Sequence, residues 1–163
     1  FGICGTEMRS LVKTDNADGI KAIVDEQFEV GKHIIDAGLV PMLEPEVDIH
    51  SPEKQRCEEL LKTQLLEHLD QLREDDKVML KLSLPSVNNF YQECIDHPKV
   101  IQVVALSGGY SRDEANELLC KQSKMIASFS RALTEGLTHG MSDDDFDKVL
   151  DQTIESIFVA SKT

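Results

Sequence analysis

Val100-Ile101-Gln102-Val103-Val104-Ala105-Leu106-Ser107-Gly108-Gly109 is the stretch on which the fold turns. Up to Leu106 it is apolar apart from Gln102, rich in β-branched residues and too short for an ordinary helix. A continuous apolar run suits a strand buried on both faces of a parallel sheet better than one side of an antiparallel sheet, which alternates polar and apolar residues. A parallel strand needs a crossover to reach its neighbour, most often a helix. The chain offers one on each side: a short helix over Val87 to Asp96, closed by His97-Pro98, and another starting at Ser111-Arg112-Asp113-Glu114, which has capping-box spacing.

The same alternation extends to both ends. Met8 to Lys13 reads as a weak first strand. From Asp18 to Ala37 the residues Ile20, Ile23, Val24, Phe28, Ile34 and Ile35 recur at helical spacing, and Gly38 is the stop. Leu39 to Glu44 is the second strand. Ser51-Pro52 offers an N-cap and first-turn proline to a helix bearing Cys57, Leu60, Leu61, Leu65, Leu69 and Leu72. Lys77 to Leu82 is the third strand and Met125 to Ser130 the fifth. Ser142 then caps a final helix whose acidic start, Asp143 to Asp145, suits the helix dipole, with Phe146, Val149, Leu150, Ile154, Ile157 and Phe158 on one face.

Five strands, each followed by a helix, give about 33 residues per unit, close to the ~31 of a ~250-residue eightfold barrel. Two architectures accommodate that count. One is a doubly wound sheet of flavodoxin type, complete in itself. The other is a (β/α)₈ TIM barrel of which about five C-terminal units are present, so that residues 1–163 form part of a single barrel domain whose first units lie outside this sequence. The opening Phe1 in place of Met, leading straight into an apolar segment, agrees with the second.

Charge narrows the partners. The 163 residues carry 30 acidic and 17 basic side chains, a net charge of -13 that opposes both a nucleic-acid backbone and an anionic membrane surface. Cys4, Cys57, Cys94 and Cys120 form no C-x-x-C clip, and the five histidines show no metal-ligand spacing, so no metal and no cofactor are assigned. No apolar run reaches the ~18 residues of a membrane span and no signal peptide is evident, which points to a cytoplasmic protein.

Lys81 stands within Val78-Met79-Leu80-Lys81-Leu82, an ammonium in an apolar strand. It reads either as a desolvated nucleophile able to form a Schiff base or as a lysine snorkelling from a strand end. Glu44-Pro45-Glu46 closes the second strand, where barrels and open sheets keep their active sites; a proton shuttle and a solvated acidic turn are both open. Ser107-Gly108-Gly109 joins a strand to a capped helix, a setting in which bare backbone N–H groups can approach a phosphate, or simply a tight turn. Arg131, just past the fifth strand, can clamp the same anion or lie on the surface.

Taken together, Gly38-Leu39-Val40-Pro41-Met42-Leu43-Glu44-Pro45-Glu46, Val78-Met79-Leu80-Lys81-Leu82, Ala105-Leu106-Ser107-Gly108-Gly109-Tyr110-Ser111 and Ala127-Ser128-Phe129-Ser130-Arg131-Ala132-Leu133 resemble class I fructose-bisphosphate aldolase of the bacterial type, in order and across essentially the whole chain. The resemblance implies a lyase of glycolysis that reversibly splits fructose 1,6-bisphosphate into dihydroxyacetone phosphate and glyceraldehyde 3-phosphate without a metal. It implies Lys81 as the Schiff-base lysine, Glu44 as proton acceptor, Glu46 as its acidic neighbour, and Ser107, Gly108 and Arg131 as holders of a substrate phosphate. A Schiff-base aldolase for another phosphorylated sugar and a noncatalytic flavodoxin-like module are the alternatives. The sequence departs from the family pattern twice. The first-strand aspartate and third-strand lysine fall outside it, and Thr6-Glu7-Met8-Arg9-Ser10 has Glu7 where the family has lysine. An open partial barrel exposes unpaired strand edges, which predicts that the chain forms homo-oligomers or associates with its missing N-terminal half.

Overall fold

The structure is a computed structural model that describes residues 2–163. Five parallel strands form one sheet: β1 (Gly5–Val12), β2 (Val40–Val47), β3 (Val78–Ser83), β4 (Val100–Leu106) and β5 (Ile126–Ala127). Between and after them run α1 (Ala17–Asp36), α2 (Lys54–Asp70), α3 (Gln92–Ile95), α4 (Arg112–Leu119), α5 (Arg131–Thr134) and α6 (Asp143–Ala160). The strand order is β1-β2-β3-β4-β5, each strand beside its predecessor in sequence. A doubly wound sheet must reverse direction at a switch point so that helices cover both faces, and this sheet never reverses. It is singly wound, five consecutive βα units of a TIM barrel, and the flavodoxin-like arrangement is excluded.

Successive side chains alternate between the two faces of the sheet. Leu43, Val47, Leu80, Leu82, Val103 and Ala105 are fully buried beneath the helices. The alternate residues face the concave side, which gathers the charges of β1, β2 and β3. Gly31 of α1 lets the helix sit directly on the sheet: a Cβ there would lie 3.3 Å from Leu43 Cδ2. Helices α1 and α2 join through Phe28 against the His68 ring, 5.0 Å between centroids, and through Asp25 Oδ1 at 2.8 Å from His68 Nε2.

Helix ends explain several boundaries. Asn16 caps α1 by accepting from the Gly19 amide, and Gly38, at φ +78, turns the chain out of it. Ser111 and Glu114 form the reciprocal capping box expected for α4, and Ser142 caps α6. Ser51 does not cap α2. Ser51 and Pro52 lie in a turn that precedes Lys54, and Glu53 holds the cap position without a side-chain bond. The helix expected over Val87 to Asp96 shrinks to the single turn Gln92–Ile95, because Asn89 adopts positive φ and its side chain ties to the Ser123 amide. The fifth strand is two residues, Ile126–Ala127, instead of the expected Met125 to Ser130, and pairs with Val104 and Ala105 of β4 alone. Conversely, β2 runs on through Pro45 and Glu46 to Val47, so the acidic pair lies inside the strand instead of closing it.

At the far end from the glycine loop, Arg73 joins three segments. Its guanidinium reaches Asp36 Oδ1 at the end of α1 (2.7 Å) and Asp76 just before β3 (3.0 Å), and its carbonyl accepts from Lys99 Nζ before β4 (2.5 Å). Strands β2 and β3 pair through Met42 with Met79 and Leu43 with Leu80, and no further. Beyond that point Ser83 substitutes for the ladder: its hydroxyl donates to the Val47 carbonyl (2.7 Å) and accepts from the Val47 amide (2.9 Å). Replacing Ser83 with Ala leaves both Val47 groups buried without partners, so urea unfolding of Ser83→Ala is expected to show a loss of about 1–3 kcal/mol. A loss near zero would mean that the strands are held together elsewhere.

Candidate active site

The concave face opens into a cleft of about 510 Å³. Strand alternation fills it. Glu7 and Arg9 come from β1, Glu44 and Glu46 from β2 and Lys81 from β3, with Ser107, Gly108 and Arg131 from the loops after β4 and β5. All six candidate residues of the sequence reading thus border one space, together with Glu7, Arg9, Leu106, Ser128 and Ser130.

Lys81 is 8% exposed and does not snorkel. Its Nζ donates to Glu7 Oε2 at 3.0 Å and lies 3.4 Å from Glu44 Oε1. An ammonium can be buried only with such compensation. Glu44 is likewise buried, and its second oxygen, Oε2, has no hydrogen-bond partner. Desolvation, reinforced by hydrogen bonding and charge repulsion from Glu7, outweighs the pull of Lys81 and pushes the Glu44 carboxyl up to about 7. Glu7 moves the other way. Partial burial raises it, but its hydrogen bonds with Lys81 and Glu44 and the charge of Lys81 together bring it below the usual 4.5. The two carboxyls differ because one is buried with an unsatisfied oxygen and the other is close to half exposed.

Glu46 is buried too, so no solvated acidic turn exists here. Its Oε2 accepts from Arg9 Nε at 2.6 Å, which sets Glu46 apart from the Lys81 cluster and leaves Glu44 as the carboxylate of β2 that meets the amine. Arg9 is not among the residues that the motifs single out. The signal for it is its spacing of two from Glu7, which puts both on one face of a strand.

The anion-binding candidates gather at the other side. Ser107 is buried, and its carbonyl accepts from the Tyr110 amide at 2.9 Å, closing a tight turn. Gly108 and Gly109 adopt φ of +64 and +120. A Cβ on Gly108 would come within 2.7 Å of Ile49 Cγ2, so both backbone conformation and space demand glycine. The position of a Cβ on Gly109 is 3.8 Å from Arg131 Nη1, which brings the guanidinium beside the glycine turn. Among the described residues the Arg131 guanidinium has no ion-pair partner, and no group of three or more His, Cys, Asp or Glu side chains is arranged to hold a metal. No helix of the described residues is long and apolar enough to cross a membrane.

The arrangement places a buried amine, a carboxyl that titrates near neutrality and an unpaired arginine at a glycine turn around one opening. Those are the parts needed to condense an amine with a carbonyl compound and to anchor an anionic group on it. Comparison with known proteins agrees with the motifs. The chain is 57% identical over 162 residues to the class 1 fructose-bisphosphate aldolase of Synechocystis sp.. It is 53% identical over 161 residues to that of Porphyromonas gingivalis and 50% identical over 161 residues to that of Clostridium acetobutylicum. Each match takes in 99% of this chain and 54–55% of the relative, so the chain is homologous to these aldolases throughout and spans about half the length of the curated relatives it matches. No family model matches. Among solved structures, a fructose-bisphosphate aldolase of Plasmodium falciparum aligns with a TM-score of 0.69 at 19% identity, over 96% of this chain and 56% of the other, which shows the shared fold.

The Glu44 carboxyl predicts a pH signature. Its folded value, about 7, lies above the ordinary 4.5, so the folded state holds this proton more tightly than the unfolded chain. The stabilisation is complete below pH 4.5 and is lost as pH rises towards 7. Glu44→Gln cannot ionise and lacks that loss. In urea melts between pH 4.5 and 7, the wild type is expected to lose on the order of 2 kcal/mol relative to Glu44→Gln. Parallel pH dependences would remove Glu44 as the perturbed carboxyl.

Proposed function

We propose that this chain carries the Schiff-base half of a class I fructose-bisphosphate aldolase site, with Lys81 as nucleophile, Glu44 as the proton acceptor and donor, and Ser107, Gly108 and Arg131 as the cradle for a substrate phosphate. The observation that carries this reading is the buried Lys81 Nζ within 3.4 Å of a carboxyl that titrates near neutrality. Lys81 passes one proton to Glu44 and the free amine adds to the ketone carbon. A proton moves from nitrogen to the new alkoxide, and Glu44 returns its proton to that hydroxyl, which leaves as water. The resulting iminium takes up the electron pair released when the sugar's carbon–carbon bond breaks. Arg131 and the glycine turn fix the phosphate end so that the ketone meets the amine in a reactive orientation.

Glu46 acts in this scheme by holding Arg9, which keeps a second cation at the cleft of a chain with net charge -13. The substrate class is a phosphorylated sugar, the reaction is metal-independent and the setting cytoplasmic. Residues 1–163 are read as five units of one eight-unit barrel. In support, β1 and β5 each leave one edge unpaired, and α6 leaves Ile154, Phe158 and Val159 about half exposed. Pairing of those edges, with a second copy or with the complementary units, follows from the same reading.

Borohydride reduction in the presence of dihydroxyacetone phosphate tests the chemistry, with the added mass located by peptide mapping. Label is expected on Lys81 and absent from Lys81→Met. Arg131→Ala is expected to need about 10–100 times more ketone phosphate for half-maximal labelling, as loss of a bidentate phosphate contact implies. Label on other lysines alone would overturn the assignment.

A further inference from the structure

We propose that Glu7 is the charge-holding carboxylate of this site, pairing with the positive charge on Lys81 Nζ and keeping the proton of the Glu7/Glu44 pair on Glu44. The inference rests on the Schiff-base reading of Lys81 and goes beyond it, because Glu7 stands where the family resemblance calls for a lysine. The amine donates to Glu7 Oε2 at 3.0 Å, a shorter contact than the 3.4 Å to Glu44 Oε1, so Glu7 and not Glu44 is its closer anionic partner. Three adjacent strands deliver the three groups, and each touches the amine or is the amine. Two carboxyls against one cation cannot both ionise without repulsion, and the buried one, whose Oε2 has no partner, is where the proton rests.

The other charged groups facing the cluster are Arg9 from β1, Glu46 from β2 and Arg131 from α5. Arg9 and Glu46 neutralise each other at 2.6 Å, and Arg131 lines the phosphate side, so none supplies the charge that keeps Glu44 protonated. In the working cycle Glu7 stays a carboxylate throughout. When Glu44 loses its proton it can take one from the Lys81 ammonium, and the amine attacks. When dehydration restores a cation on the same nitrogen, now as the iminium, Glu7 again faces it at hydrogen-bond distance. An ion pair kept on both sides of the step favours accumulation of the iminium over its hydrolysis.

The test is the pH profile of borohydride trapping with dihydroxyacetone, an uncharged ketone that leaves the phosphate cradle out of the measurement. The wild-type profile is expected to have an acid limb centred near pH 7 that is missing in Glu44→Gln. In Glu7→Gln the repulsion is gone, and the limb is expected to move down by about 1 pH unit. Glu7→Asp keeps the charge and is expected to keep the limb near its original place. A limb that stays put in Glu7→Gln overturns the proposal, since a merely structural ion pair would change the yield of folded protein and not the midpoint. Should the wild type give no Lys81 adduct at all, the Schiff-base reading fails. The Glu7/Glu44 pairing is then decided separately by the Glu44 carboxyl-carbon NMR titration: a midpoint lower in Glu7→Gln than in the wild type supports it, and an unchanged one overturns it.

Discussion

The burial of one ammonium organises this structure. Lys81 sits in the middle of a strand and is largely withdrawn from water, and the charge is tolerable because carboxyl groups reach it from the two preceding strands, the Glu7 carboxylate closest. That requirement ties chemistry to topology. With β1, β2 and β3 side by side in sequence order, Glu44 sits between Glu7 and Lys81, whereas a flavodoxin-type order would place β1 between β2 and β3 and part Glu44 from Lys81. The alternation of β2 then sorts its own side chains, sending Leu43 and Val47 to the helices and Glu44 and Glu46 to the cleft.

Beside the cleft the sheet is held by a side chain. Parallel pairing between β2 and β3 stops after two residues on each strand, and the Ser83 hydroxyl spans the gap by bonding both backbone groups of Val47. No buried Val47 polar group therefore goes unpaired where the ladder stops. On the phosphate side the constraint is steric. Ile49 presses on the turn after β4 so closely that Gly108 has no room for a side chain, and the space gained leaves the turn's backbone bare next to Arg131.

Much of this was legible in the residues. The apolar run from Val100, the Gly38 stop and the Ser111 and Ser142 caps are local signals, and local physics was enough to place β4, α1, α4 and α6, although β4 is buried only from Val103 onward. The ambiguous elements were those that tertiary partners decide. Lys81 reads as a nucleophile or as a snorkelling lysine until two carboxyl groups from other strands are seen beside it. Glu44-Pro45-Glu46 looks like a turn because proline disfavours central strands, yet β2 runs through it to Val47. Ser51-Pro52 has the composition of a cap without its geometry. Asn89 and its bond to the Ser123 amide curtailed α3, an effect with no trace in periodicity. Arg9 and Glu7 needed the alternation of a strand whose apolar pattern is weak, and for that reason their common face was hard to see.

The Arg73 junction lies at the opposite end of the strands from the cleft, joining the end of α1, the approach to β3 and the approach to β4. Anchorage and reactivity are therefore assigned to different poles of the same sheet. Such a division lets residues around the opening change without loosening the scaffold. The loops that shape substrate choice are free to drift, while the pole that ties helices to strands is held to its sequence by geometry.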